Sequence, residues 1–311
     1  MSVAFLFPGQ GSQRAGMLHE LPAHPSVAST IDEASQLLGR DVLELDEEKT
    51  LESTVSTQLA IYVAGVAMAR ALGAEAAFPS AVAGLSVGAY AAATTCGALA
   101  FPDGLRLVHL RASLMEQQFT TGYGLAAIVG LDEEQVTALV AQASTEAFPV
   151  YVGNLNAPRQ IVVAGALPGV DRVVELAIAT GCRKAERLAV RVPSHCPLLQ
   201  GVADVLVEKL KTLKPGTVRA RYISNRRARP TRALDLIRED VATNIAHPVR
   251  WHDSTEVLVE LGTTLFVELN PGQVLSKLTT EAFPQVPSIA TAAMPFNNAA
   301  RQIRDAMETL D

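Results

Sequence analysis

The ten residues AVAGLSVGAY, Ala81 to Tyr90, constrain the fold more than any other stretch of the chain. A short apolar run enters Gly84-Leu85-Ser86-Val87-Gly88, and an alanine-rich helical run follows. The apolar run reads as a buried strand, so the segment spells strand, tight turn, helix. A side chain at Gly84 or Gly88 would crowd that turn. The turn pushes the Ser86 hydroxyl into the open, and N–H groups at the helix start point toward any negative charge that develops beside it. Ser86 is the candidate nucleophile.

The rest of the chain has the same texture. VAFLF (Val3 to Phe7) and TLFVEL (Thr264 to Leu269) read as further buried strands, the latter closed by Asn270-Pro271-Gly272. Helical patterns start near Ser26 and Thr57, and a long one runs from Pro102 to about Phe119. Short apolar runs alternating with longer helical stretches predict an α/β fold. Between Gly122 and about Val192 the order becomes strand, helix, strand, strand, helix, strand, which is the ferredoxin-like arrangement. The expectation is a parallel-sheet subdomain, residues 1–121 and 193–311, with a ferredoxin-like subdomain, residues 122–192, inserted into it.

Composition narrows the function classes. The chain carries 26 Lys and Arg against 32 Asp and Glu, a net charge of −6, with no long basic tract, which argues against nucleic acid. An acidic partner protein remains open, because a local basic patch can sit under a negative total. RARYISNRRARPTR (Arg219 to Arg232) is such a patch, read either as a solvated turn beside a strand or as a docking site for an acidic carrier. Hydrophobic residues at 49% exclude disorder. The scattered cysteines Cys96, Cys182 and Cys196 form no disulfide framework and no metal ladder. LAIYVAGVAMARAL (Leu59 to Leu72) is interrupted by Arg70 and reads as a buried helix rather than a membrane span. With no signal-peptide pattern, a cytoplasmic location is expected.

A serine hydroxyl needs a base to accept its proton. His195 lies in VRVPSHCPLL, clamped between Pro193 and Pro197 where the inserted module returns to the main body. His247, before Pro248, is an outside candidate, and His19, His24, His109 and His252 read as surface or structural. No Asp or Glu stands out as a third triad member, and a backbone carbonyl can orient a histidine instead. Arg111 stands on or beside the apolar face of GLRLVHLRASLMEQQ: either an exposed arginine with a buried stem, or a desolvated guanidinium awaiting a carboxylate. FPGQGSQ (Phe7 to Gln13), after the first strand, is either a plain turn or the lender of an oxyanion-hole N–H.

Taken in order, FPGQGSQ, GLSVGAY, LRASLM, NLNAPRQIVVAG, VPSHCPLL and HPVRW resemble the malonyl-CoA:acyl carrier protein transacylases over about residues 3 to 290. The resemblance implies a hydrolase-like subdomain with a ferredoxin-like insert. It also implies Ser86 as nucleophile, His195 as base and Arg111 as the fork for the free malonyl carboxylate. Gln10 and Val87 would give the oxyanion hole its two N–H donors, and Gln58, Ser194 and Asn225 would line the site. The carbonyl of Asn244, where glutamine is usual, would orient the histidine. The usual Gly-His-Ser-Leu-Gly-Glu motif is altered here by Leu85 and Ala89, and His247 stands where asparagine is common. The Gly-Leu-Ser-Val-Gly form looks like the epsilon subunit of malonate decarboxylase. The expected partners are then malonyl-CoA and the small decarboxylase carrier with its dephospho-CoA-type arm. The phosphopantetheine carrier of fatty acid synthesis is the alternative, and a serine thioesterase a more distant one. No metal, redox cofactor, nucleic acid or membrane is implied.

Overall fold

The computed structural model describes residues 2–308. The first half of the large subdomain runs β1 (Ser2–Phe7), α1 (Pro25–Leu38), α2 (Thr54–Ala74), β2 (Ala81–Gly84), α3 (Gly88–Thr95) and α4 (Phe101–Gln118). A second unit follows as β3 (Tyr123–Val129), α5 (Glu133–Ala143), β4 (Val150–Ala157), β5 (Gln160–Ala166), α6 (Leu167–Ala179) and β6 (Lys184–Arg187). The chain then returns with α7 (Gln200–Lys211), β7 (Arg221–Ile223), β8 (Pro230–Thr231) and α8 (Leu234–Thr243). It ends with α9 (Trp251–Glu260), β9 (Thr263–Glu268), α10 (Val274–Ala282), β10 (Ser288–Ala290) and α11 (Phe296–Glu308).

The large sheet has the order β10-β9-β1-β2-β7-β8, parallel throughout except for the β7–β8 pair at one edge. Parallel strands covered on both faces have to be apolar throughout, which is why VAFLF shows no polar alternation. Along β1, Val3, Phe5 and Phe7 pack into one core and Ala4 and Leu6 into another on the opposite face, as the two-residue period of a strand requires. The second sheet, β4-β5-β3-β6, is antiparallel, with α5 and α6 packed on it round Val136, Leu139, Val170 and Val173. Helix, strand and sheet order here are those of a ferredoxin-like unit, and the α/β expectation holds for both sheets.

Helix α2 is long and apolar enough to cross a membrane, yet it is buried within the large subdomain. Apolar on every side, it has the composition of a core helix. Its Arg70 pairs with Glu33 at 2.8 Å and lies over the Phe101 ring, 4.5 Å from the centroid. Sequence boundaries shifted at one informative place. β6 ends at Arg187: Leu188 still donates its N–H to the Leu125 carbonyl at 2.9 Å, but Ala189 and Val190 turn off the strand that the apolar run predicts, and all three line a cavity.

The junction from β2 to α3 is as tight as its glycines imply. A Cβ at Gly84 would lie 2.2 Å from the Gly88 carbonyl, and one at Gly88 would lie 2.1 Å from the Phe7 carbonyl oxygen. The helix can therefore start directly above β1 and β2, with Leu85, Ser86 and Val87 as the whole connection.

Candidate active site

Ser86 has φ +57°, a left-handed conformation that costs an ordinary residue about 1–3 kcal/mol and persists only where the surroundings impose it. The turn is pinned by the Leu85 N–H on the Phe7 carbonyl at 2.9 Å and by the Ser86 N–H on Asn225 Oδ1 at 2.9 Å. The Ser86 hydroxyl lies 2.7 Å from His195 Nε2.

His195 also sits in the left-handed region, φ +69°. Its N–H donates to the Ile245 carbonyl at 2.7 Å, and its Nδ1 is 2.8 Å from the Asn244 carbonyl oxygen. Both carbonyls belong to the short 3₁₀ turn Asn244–Ala246 at the end of α8. A carbonyl can only accept, so Nδ1 carries the proton and Nε2 presents its lone pair to the serine. Burial, and then the nearby Arg111 charge, lower the imidazole pKa from its usual value to about 4. The base is thus neutral near pH 7. Its neighbour Cys196 is no rival nucleophile, since burial pushes its thiol up to about 12.

Arg111 resolves the ambiguity that its helix left open: the whole side chain is buried, 1% exposed. One guanidinium nitrogen donates to Ser86 Oγ at 3.1 Å, a second to Gln58 Oε1, and Nε has no partner among the described residues. The Tyr90 ring lies 5.9 Å from the guanidinium carbon. No carboxylate pairs with Arg111 among the described residues. Burial pulls its pKa below the ordinary arginine value. A buried cation without a counter-ion is costly, and the cost is recovered only when an anion arrives.

Ser86 and His195 open on a cavity of about 370 Å³, bordered also by Gln10, Gln58, Leu85 and Ser194; Arg111 is not in its lining and meets it through Ser86 and Gln58. On the side of the small subdomain its wall includes Asn154, Asn156 and Val162. It adjoins a larger groove that shares Gln10, Gln13, Leu125 and Leu188 to Val190. The N–H groups of Gln10 and Val87 have no hydrogen-bond partner among the described residues. Asn225, expected in the lining, lies instead behind the serine and holds its N–H.

Asn154 and Asn156 were not singled out in the sequence. Two amides two residues apart in the apolar strand VYVGNLNA were the available signal, and Asn156 Oδ1 is buried without a partner among the described residues. The other histidines stand apart from the serine. His24 caps α1, His19 pairs with Asp46, His252 stacks on Phe283, His109 is exposed on α4, and His247 is half-buried directly after the Asn244–Ala246 turn.

The acyl transferase domain family matches residues 4–307. The chain belongs to that family. A malonyl CoA-acyl carrier protein transacylase of Haemophilus influenzae is 34% identical to this acyl transferase over 308 residues, 96% of this chain and 98% of the relative. The crystal structure of an acyl-carrier-protein S-malonyltransferase from Burkholderia pseudomallei 1710b superposes with a TM-score of 0.91 at 35% identity, covering 97% of this chain and 100% of that one. A malonyl-transacylase solved in complex with a type II polyketide synthase acyl-carrier protein has a TM-score of 0.92 at 33% identity, covering 97% and 99%. Those neighbours share the two-subdomain architecture of this acyl transferase.

Proposed function

We propose that this acyl transferase carries malonyl from malonyl-CoA to the thiol of an acyl carrier protein by way of a malonyl-Ser86 ester. The observation that carries the reading is the Arg111 guanidinium, buried, without an anionic partner, and 3.1 Å from Ser86 Oγ. A guanidinium fork suits a carboxylate geometrically and electrostatically. An acyl group ending in a carboxylate would reach the fork while its thioester carbon met the serine. The names of the relatives support the same substrate class.

In the first half-reaction Ser86 Oγ bonds to the thioester carbon and its proton passes to His195 Nε2. The N–H groups of Gln10 and Val87 hold the oxyanion, a contribution typically worth about 10²–10³ in rate for one such donor. Collapse breaks the carbon–sulfur bond, and the CoA thiolate leaves with the proton from His195. In the second half-reaction the carrier thiol gives its proton to His195 and attacks the ester. Ser86 regains its proton as the malonyl group departs on the carrier. The larger groove that adjoins the site is the path this reading gives to the pantetheine arm of either thiol.

The relatives favour an acyl carrier protein of the fatty-acid or polyketide kind as acceptor over the decarboxylase carrier that the Gly-Leu-Ser-Val-Gly motif suggests. Of the two departures behind that suggestion, Ala89 is fully buried in the core and faces no substrate, whereas Leu85 borders the cavity. Leu85 keeps the decarboxylase carrier as a second reading. Transfer of radiolabelled malonyl to two purified carriers, one with phosphopantetheine and one with a dephospho-CoA-type arm, decides between them. Faster labelling of the first is expected. Labelling of the second alone moves the assignment to malonate decarboxylase, and release of free malonate without labelling of either makes the protein a thioesterase.

The depressed imidazole pKa sets a pH dependence. The base is lost only as pH falls toward about 4, so transfer at pH 5.5 should stay above half its rate at pH 7.5. An unshifted histidine would lose about tenfold over that interval. A rate profile with a midpoint near 6.5 would remove His195 as the base in this environment.

A further inference from the structure

Asp240 lies in the last turn of α8, is 5% exposed, and belongs to no motif that marked the site. Its carboxylate accepts three hydrogen bonds and makes no ion pair among the described residues. One Oδ takes the Tyr222 hydroxyl at 2.7 Å and the Asn225 N–H at 3.0 Å, and the other takes the Arg226 N–H at 3.1 Å. Two of these donors are successive main-chain groups of the turn that follows β7. The third is a side chain on β7 itself.

The turn so held is the one that carries Asn225, 3% exposed, whose Oδ1 accepts the Ser86 N–H at 2.9 Å. The Asn225 carbonyl is tied on the other side by the Arg250 N–H at 2.9 Å. A continuous line of contacts therefore runs from the α8 carboxylate, through the Asn225 main chain and side chain, to the main chain of the serine. The contact at Ser86 falls on a residue with positive φ, where small rotations of the peptide swing Oγ away from His195 Nε2. A buried carboxylate is a poor device for stability alone, since the loss of hydration is only partly offset by such bonds. Burial raises the Asp240 pKa, while the Tyr222 hydroxyl, the Asn225 and Arg226 N–H groups and the Asn225 side chain lower it.

We propose that Asp240 is a positioning residue for acylation: by fixing the main chain at Asn225 it holds the amide that locks the left-handed peptide of Ser86, and so aims the hydroxyl between His195 and Arg111. The inference rests on Ser86 being the nucleophile. Its test separates the two. Asp240→Asn keeps the shape but turns an NH₂ toward a main-chain N–H, and Asn225→Ala removes the amide directly.

Single-turnover acylation by malonyl-CoA, read by intact mass, gives the acylation rate, the half-saturating malonyl-CoA concentration and the final adduct stoichiometry for each variant. Each single variant should lose roughly tenfold to a hundredfold in rate, the scale expected for small misplacement of a reacting group. Half-saturation and one adduct per chain should be unchanged. The double variant should be no slower than Asn225→Ala, because the two residues act through one contact. A rate for Asp240→Asn within twofold of the unaltered protein overturns the proposal, and so does a double variant that shows the product of the two losses. Should Asp240→Asn fail to melt cooperatively, Asn225→Ala is read alone: an unaltered rate overturns the proposal, and a slowed rate at unchanged half-saturation sustains it. An adduct that survives in Ser86→Ala instead overturns the nucleophile assignment, whatever Asp240 does.

Discussion

Ser86→Ala should leave a folded protein that forms no malonyl adduct and transfers malonyl at least about 10⁴-fold more slowly, the scale of losing a nucleophile that works as a unit with its base. The folded state should survive, since the change removes only the hydroxyl that bridges His195 and Arg111. The left-handed φ at this position persists with alanine because the surrounding hydrogen bonds involve the main chain. Intact-mass spectrometry after mixing with malonyl-CoA checks the first part: one adduct for the unaltered chain, none for the variant. Thermal unfolding checks the second. An adduct of equal yield in the variant would show that another residue is acylated.

Arg111→Ala is the second large effect, and it acts on selectivity. With the fork removed, malonyl-CoA loses its charge-assisted contact, and kcat/KM for it should fall roughly 10²-fold or more. Acetyl-CoA, which leaves the guanidinium unpaired in the unaltered site, should be used as well as before or better, so the preference for malonyl collapses. The Arg111 charge also helps to depress the His195 pKa. In the variant the acid limb of whatever activity remains should therefore move to higher pH. Unchanged malonyl kinetics, or an acid limb that stays in place, would dissociate Arg111 from the substrate or from the base respectively.

Much of this site is legible in the chain because its parts lie where backbone geometry leaves little choice. Gly84 and Gly88 bracket Ser86 at a spacing that a strand-to-helix turn needs, and the clash distances at both glycines give the reason. β1 and β2 are readable because burial on both faces makes them short apolar runs, and β9 from its apolar centre Leu265-Phe266-Val267. The ferredoxin-like unit is readable from the order of its elements, although Ala189 and Val190 look like strand and line the cavity instead.

What escaped has physical causes too. Helical periodicity places Arg111 beside the apolar face but cannot say whether the stem or the whole guanidinium is buried; Gln58 and Ser86, 53 and 25 residues away, decide that. Asp240 sits in a ten-residue helix with a surface-like sequence, and only the fold brings Asn225 and Tyr222 onto its carboxylate. α9 and α10, of ten and nine residues, and β10, of three, are too short for periodicity to mark them against the loops around them.

The imidazole takes its bearing from one peptide oxygen, at 244, and the His195 main chain from a second, at 245, rather than from an acidic side chain. A peptide oxygen is present whichever amino acid the codon specifies, so no single replacement at either site can delete it. Drift there is tolerated as long as the bend survives, and an asparagine can stand in for a glutamine at no chemical loss. The heritable weak points lie instead in whatever gives the bend its shape, such as Pro248 just downstream, whose loss would turn the ring without altering any group that touches it.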